Sequence, residues 1–461
     1  MIFTLRRLNM QRLLIALVLS GLLMSCGGGK ESTPTPATLH SHPLTVASTG
    51  RHLEDRNAKP FLLVGDTAWS LFVALSDSDA DVYLENRKQH GFTAVLANLI
   101  EHKYAANAPA NFYGFTPFAG QTFTTPQEAY FAHVDYIVKS AAEKGIVVFL
   151  LPLYLGFGCN SEGWCAEVEN ATISDMTAWG QYVGNRYTNY DNIVWVIGGD
   201  MDPTPVKSKV QAMVDGILSR DTRHPFTVHN SRGVMAVTPW SGAAWLNVNN
   251  IYTNGTDYQH AVTAYSISPT KPFFLIESQY ENTTAPNTQM LRAQSYWTVL
   301  SGGFGAFFGN CPLWGFGFTG DYCPPLTNWQ AQLNSPGALN MHHFQALFNS
   351  RHWETLVPDT SQTVIIAGNG TFGGVDYVSA ACAADGTSIL AYLPSSRTIT
   401  VSGDCLAGNT MIAWWYDPSN GVATQIGTFP TTMPQNFSPP TSGDWVLVVD
   451  SSVASFPAPG M

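Results

Sequence analysis

Ile193 to Asp200 reads IVWVIGGD and Pro272 to Glu277 reads PFFLIE. Each is a short apolar run with no charged residue until an acid stops it, the pattern of a strand buried on both faces. Six more runs of this kind surround them: Phe61–Trp69 (FLLVGDTAW), Thr93–Ile100 (TAVLANLI), Ile146–Tyr154 (IVVFLLPLY), Pro225–Asn230 (PFTVHN), Leu246–Thr253 (LNVNNIYT) and Gly305–Asn310 (GAFFGN). Helical spacing separates most of them, over Ser78–His90, Pro126–Lys144, Ser174–Tyr190, Pro205–Arg220, Tyr258–Ser266, Thr288–Leu300 and Gly337–Ser350. Strand–helix alternation predicts parallel pairing, and such units spread over roughly 300 residues predict an α/β fold of the (β/α)8 TIM-barrel type rather than an open sheet. No Gly-x-Gly-x-x-Gly follows the first strand, so nothing favours a dinucleotide-binding fold.

Beyond Val357 the texture changes to short β runs divided by Gly, Pro, Ser and Asn: Thr363–Ala367, Asp376–Ala381, Ser388–Leu393, Thr398–Ser402, Met411–Tyr416 and Asp444–Val449. These predict a small antiparallel β-sandwich. The resulting plan is a barrel over 43–353 and a sandwich over 354–461.

The N-terminus reads as an export signal. Arg6, Arg7 and Arg12 precede an apolar stretch from Leu13 to Met24 that is short for a membrane span. It ends in Leu23-Met24-Ser25-Cys26, which resembles the bacterial lipobox. That resemblance implies removal of a lipoprotein signal peptide (1–26), lipidation of Cys26 and a Gly, Ser, Thr and Pro rich tether over 27–42. An ordinary cleaved signal with an incidental cysteine is the alternative. On the first reading the protein is an exported lipoprotein, periplasmic or at the outer membrane or cell surface, held to the membrane by its lipid.

Seven cysteines occur in all, and setting Cys26 aside leaves Cys159, Cys165, Cys311, Cys323, Cys382 and Cys405. An even number in an exported chain argues for disulfides, and the short spacings suggest the sequential pairs, although spacing does not fix connectivity. No CxxC occurs, and no His pair stands at ligand spacing beside these cysteines, so no metal or other cofactor is called for.

Only 12% of residues are charged, against 45% hydrophobic and 12% aromatic. Such a surface suits neutral, hydroxyl-rich ligands. The formal charge of −11 argues against nucleic acid as a partner.

The acids at the strand ends carry the chemistry. In a parallel barrel the carboxyl ends of the strands surround the mouth where substrate sits. Asp200 on the fourth strand and Glu277 on the seventh supply what glycoside hydrolysis needs, a protonated acid for the leaving oxygen and an ionised carboxylate to attack. Gly198 and Gly199 allow a sharp turn that brings Asp200 forward. Competing uses exist: Asp200 could cap the following helix, though Asp202 is better placed, and Glu277 could belong to a buried ion pair.

GDTAW (65–69), YLENRKQHGF (83–92), WVIGGD (195–200), IESQYE (276–281) and GAFFGNCPLWGF (305–316) together resemble the apiosidase-like catalytic domain family, glycoside hydrolase family 140 and its relatives. The later segment resembles the collagen-binding type of β domain that often follows it. The resemblance covers about residues 43 to 450. It implies a retaining barrel glycosidase with Asp200 as catalytic acid and Glu277 as its partner, acting on plant cell-wall glycan such as the apiose-linked side chains of rhamnogalacturonan II in pectin. The chain departs from the family pattern at Ser278 and Gln279 and in the Cys311–Cys323 loop.

Other strand-end residues suit a sugar pocket, where aromatic faces stack on C–H groups and polar groups meet hydroxyls. They are Asp66, Trp69, Asn98, His102, Tyr154, His229, Tyr252, Tyr280, Glu281, Asn310 and Trp314. Glu281 could orient Glu277 or pair with Arg292. The alternative to catalysis is a non-catalytic glycan-binding surface lipoprotein, which would keep the barrel as a lectin.

Overall fold

A computed structural model describes residues 40–283, 288–317, 323 and 328–461. Cys26, the signal and most of the tether therefore lie outside the described residues. Eight parallel strands form one sheet: β1 (Leu63–Thr67), β2 (Ala94–Asn98), β3 (Val147–Leu151), β4 (Ile193–Gly198), β5 (Phe226–His229), β6 (Asn249–Tyr252), β7 (Phe273–Glu277) and β8 (Gly305–Phe308). Their order is β5-β4-β3-β2-β1-β8-β7-β6. The two ends of that order, β5 and β6, are consecutive in the chain and adjacent in space, so the sheet curls into a barrel with its seam between them. Almost every strand residue is buried, as parallel strands covered on both faces require.

Among the described residues, seven helices of nine residues or more cover the outside: α1 (Asp77–Gln89), α2 (Glu128–Glu143), α3 (Ile173–Tyr187), α4 (Lys207–Leu218), α5 (Asp257–Tyr265), α6 (Thr288–Leu300) and α7 (Pro336–Asn349). Local chemistry starts several of them. The Ser76 hydroxyl accepts the Asp79 N–H at 3.1 Å ahead of α1, and Thr172 with Asp175 forms a capping box ahead of α3. Asp202, not Asp200, takes the turn-capping role after β4, its carboxylate accepting the Thr204 N–H at 2.9 Å. Between β5 and β6 there is no helix, only turns, and this loop runs over the barrel mouth.

Inside the barrel, Phe149, Phe274 and Phe307 meet at ring-centroid distances of 5.0 to 5.8 Å. Gly65 makes room for them, since a Cβ there would stand 2.3 Å from the Phe307 ring. Parity along β1 then fixes its neighbour: Gly65 faces the interior, so Asp66 faces outward.

Three two-residue strands, Thr45–Val46, Leu53–Glu54 and Pro60–Phe61, make a small antiparallel sheet ahead of the barrel. The strands of the sandwich are β9 (Leu356–Pro358), β10 (Ile365–Ala367), β11 (Ser379–Ala383), β12 (Ser388–Leu393), β13 (Ile399–Val401), β14 (Thr410–Tyr416), β15 (Ala423–Pro430), β16 (Gln435–Phe437) and β17 (Trp445–Ser451). Six form an antiparallel sheet ordered β9-β11-β12-β17-β14-β15, and β10-β13-β16 form a second. Ile365, Ile389, Leu393, Val401, Trp415 and Leu447 belong to the core between them. Barrel and sandwich belong to one compact unit. Tyr296 of α6 stacks on Tyr392 at 5.0 Å, Arg292 is bidentate to Asp444 at 2.6 and 2.9 Å, and Arg351 is bidentate to Asp450 at 2.7 and 2.8 Å.

All three sequential disulfides are formed: Cys159–Cys165, Cys311–Cys323 and Cys382–Cys405. The first two close loops at the barrel mouth, and the third ties β11 to a sandwich loop.

Candidate active site

β4 stops at Gly198, and the backbone then turns through φ values of 94° at Gly198, 134° at Gly199 and 48° at Asp200. A side chain at Gly199 would be both strained and blocked, because its Cβ would stand 2.4 Å from the Tyr154 ring. Asp200 itself occupies the left-handed region, a conformation that a non-glycine residue holds only where its surroundings enforce it. The main-chain N–H of Asp200 donates to His229 Nδ1 at 2.8 Å, which is part of that enforcement.

Glu277 reaches the same place from β7, whose register with β6 is irregular between Leu275 and Glu277. Such an irregularity re-aims the side chain at a strand end. Its Oε2 lies 2.8 Å from His229 Nε2, and its Oε1 accepts the Tyr280 hydroxyl at 2.8 Å. The Tyr280 oxygen in turn accepts the Trp69 indole N–H at 2.8 Å. Because His229 Nδ1 accepts a main-chain N–H, the ring hydrogen sits on Nε2 and is donated to Glu277. Two donors thus fix the orientation of the Glu277 carboxylate.

Asp200 has the opposite surroundings. Burial, followed by the nearby Glu277 charge, pushes its carboxyl up to about 6. Its Oδ1 is buried and makes no hydrogen bond among the described residues. Two neighbouring carboxyl groups stand in contrasting surroundings, one whose proton is retained to higher pH and one clamped by two donors, an inventory suited to acid-assisted chemistry at a sugar.

Both acids line a cavity of about 270 Å³ at the carboxyl ends of the strands. Its walls are aromatic: Trp69, Tyr104, Tyr154, Phe157, Tyr252, Tyr280 and Trp314. Asn98 adds a side chain that is 1% exposed, with neither polar atom hydrogen-bonded among the described residues. Of the residues singled out in the sequence, Trp69, Asn98, Tyr154, Asp200, Tyr252, Glu277, Tyr280 and Trp314 line this space, and His229 supports it from below.

Four do not belong there. Asp66 is fully buried on the outer side of β1, paired with Arg87 at 2.6 Å and accepting the Tyr83 hydroxyl at 2.6 Å. His102 turns to Glu167 at 3.0 Å and stands edge-on to Trp164. Glu281 neither touches Glu277 nor pairs with Arg292. It accepts the Gly337 N–H at 2.9 Å and the Asn310 amide at 3.2 Å, so Glu281 and Asn310 together secure the start of α7. An acid at a helix N-terminus is a structural use of its charge.

Sequence reasoning missed Tyr104, Phe157, Glu162 and Arg232, while Ser278, singled out as a departure from the family pattern, does line the pocket. Phe157 and Glu162 lie in the loop closed by Cys159–Cys165, and the Tyr104 hydroxyl donates to Glu162 Oε2 at 2.9 Å. Arg232 comes from the helix-free β5–β6 loop, its guanidinium 5.3 Å over the Tyr252 ring. The available signals were the six-residue cysteine spacing and the missing helix after β5.

Eight parallel strands closed into a barrel, with carboxylates at the ends of the fourth and seventh, make this an α/β barrel with a two-acid pocket. Residues 47–355 match the model of the apiosidase-like catalytic domain, and residues 357–450 match that of the "putative collagen-binding domain of a collagenase". The chain belongs to the apiosidase-like catalytic domain family, and its barrel is that of a glycosidase. Among solved structures it is similar to a protein described as a glycoside hydrolase (24% identity, TM-score 0.79, covering 92% of this chain and 99% of that one). It is also similar to a glycoside hydrolase family 5 protein from Bacteroides vulgatus (24% identity, TM-score 0.78, covering 89% and 94%). A search of curated proteins finds no match.

Proposed function

We propose that the protein hydrolyses plant cell-wall glycan by a two-carboxylate retaining mechanism, with apiose-linked side chains of pectic polysaccharide as its substrate, as in glycoside hydrolase family 140. The observation that carries the mechanism is the contrast between the two acids: Glu277 receives donors from both His229 and Tyr280, while Asp200 is raised to about 6. Asp200 protonates the leaving oxygen, Glu277 attacks the anomeric carbon, and Asp200 then activates water for the second displacement. Arg232 supports the pectic reading. It forms no ion pair with a carboxylate among the described residues, and a guanidinium that lines a sugar pocket fits the carboxylate of a uronic acid. Export as a Cys26-anchored lipoprotein belongs to the same proposal and is supported by the three disulfides.

Incubation with pectic and hemicellulosic oligosaccharides, followed by identification of the released sugar and NMR of the first-formed anomer, tests this. Release of apiose with retained configuration is expected. Release of a different sugar overturns the substrate, and an inverted first product overturns the mechanism.

A further inference from the structure

A second cavity of about 260 Å³, nearly the size of the first, opens between barrel and sandwich. Its barrel side includes Val262 of α5 and the turn Leu300–Ser301 that precedes β8. That turn lies at the amino ends of the strands, the end of the barrel opposite Asp200 and Glu277.

One feature of its sandwich side is unusual for a structural crevice. Phe372 is 54% exposed, yet its ring is fixed edge-on to Tyr258 at 5.4 Å and to Tyr377 at 5.2 Å, and those two rings stack at 4.6 Å. The Phe372 loop is tied down from the barrel, where the Tyr258 oxygen accepts the Gly373 N–H at 2.6 Å and its hydroxyl donates to the Gly374 carbonyl at 2.9 Å. The ring therefore remains at the surface rather than folding into the core.

Polar groups surround it. The Asp359 carboxylate is held by the Thr363 and Ile365 N–H groups, both at 2.8 Å, which leaves lone pairs for a further donor. Gln362 contributes an amide, and Ser379 is 3% exposed with a hydroxyl that has no partner among the described residues. No lysine or arginine lines the space. A rigid exposed aromatic face beside a fixed carboxylate, an amide and hydroxyls, without a cation, suits a neutral pyranose or furanose and disfavours an anionic one.

We propose that this cavity is a second carbohydrate-binding site, which holds neutral sugar residues of the polymer while the barrel mouth works elsewhere on it. The inference rests on the glycan-directed reading above. Its consequence is avidity: a second foothold at the far end of the molecule strengthens retention on long chains and does nothing for short ones.

The test is affinity electrophoresis of the full chain in gels containing galactomannan, xyloglucan or arabinan, comparing wild type with Phe372→Ala and Gln362→Ala. At least one polysaccharide should retard the wild type, and each variant should bind it about three- to tenfold more weakly, the worth of one stacked ring or one lost hydrogen bond. Calorimetry should show both variants folded at the assay temperature, and hydrolysis of short oligosaccharides should stay unchanged. If no polysaccharide retards the wild type, or Phe372→Ala is retarded equally, the site is overturned. Phe372-dependent retardation without hydrolysis of any oligosaccharide would instead sink the catalytic reading alone.

Discussion

The imidazole Nε2 of His229 stands 2.8 Å from Oε2 of Glu277, while its other nitrogen holds the Asp200 main chain in a left-handed turn. One ring thus sets the orientation of the Glu277 carboxylate and the backbone position of Asp200. His229→Ala should lower kcat about ten- to a hundredfold with little change in KM, since it removes a donor to the Glu277 carboxylate and leaves a main-chain N–H unpaired. Steady-state kinetics check this, and an unchanged kcat would detach His229 from the mechanism.

Asp200 must be protonated to serve as acid, so with its carboxyl at about 6 the rate should fall tenfold per pH unit above that value. Asp200→Asn should remove orders of magnitude in turnover together with this basic limb. Stability runs the same way. The native carboxyl titrates near 6 and the unfolded one near 3.8, so within that window the native state binds more protons and stability falls as pH rises. Asp200→Asn should therefore raise Tm more at pH 7 than at pH 3.5, as calorimetry at the two pH values would show.

Asp66 should behave as a stability residue. Asp66→Ala leaves the Arg87 guanidinium buried without its carboxylate, at a cost of about 3–5 kcal/mol. Denaturant melts should show that loss while kcat and KM of the folded fraction stay as in wild type. A selective rise in KM would return Asp66 to the sugar site.

Trp314 lies 5.0 Å from the Tyr104 ring and 5.8 Å from the Tyr280 ring, on the loop closed by Cys311–Cys323. Trp314→Ala should raise KM about tenfold through the lost stacking face. Loss of several kcal/mol of stability with unchanged kinetics would make it a core residue instead.

Arg232→Ala should lower kcat/KM about ten- to a hundredfold on substrates bearing a uronic acid, the worth of a charge-assisted bidentate contact. The methyl esters of those substrates should be cleaved equally by wild type and variant. Equal losses on acid and ester would show that Arg232 reads something other than the carboxylate.

The barrel was legible because burial on both faces leaves a plain mark, unbroken apolar runs such as Val147–Leu151 and Ile193–Gly198. β15 was not, since Ala423–Pro430 is a largely exposed edge strand with no apolar face to detect. Short β9 and β16 were missed for want of length. In the site, Asp200 and Glu277 could be read because strand ends aim at the mouth. Asp66 misled because alternation along β1 turns it outward, and a linear reading does not supply that parity. Glu281 and Asn310 misled because α7, far along the chain, returns to claim their polar atoms. Arg232 and Glu162 went unseen because loops fold back by amounts that no periodicity encodes.

The two bidentate pairs that join barrel to sandwich have an effect on how the molecule comes into being. Arg292 is synthesised 152 residues before its partner Asp444, and Arg351 99 residues before Asp450. Until those residues emerge, α6 and the segment after α7 carry guanidinium groups with no carboxylate to receive them, a state that burial would penalise by several kcal/mol. A nascent barrel therefore has reason to remain loosely closed, and its final consolidation waits for the sandwich to emerge.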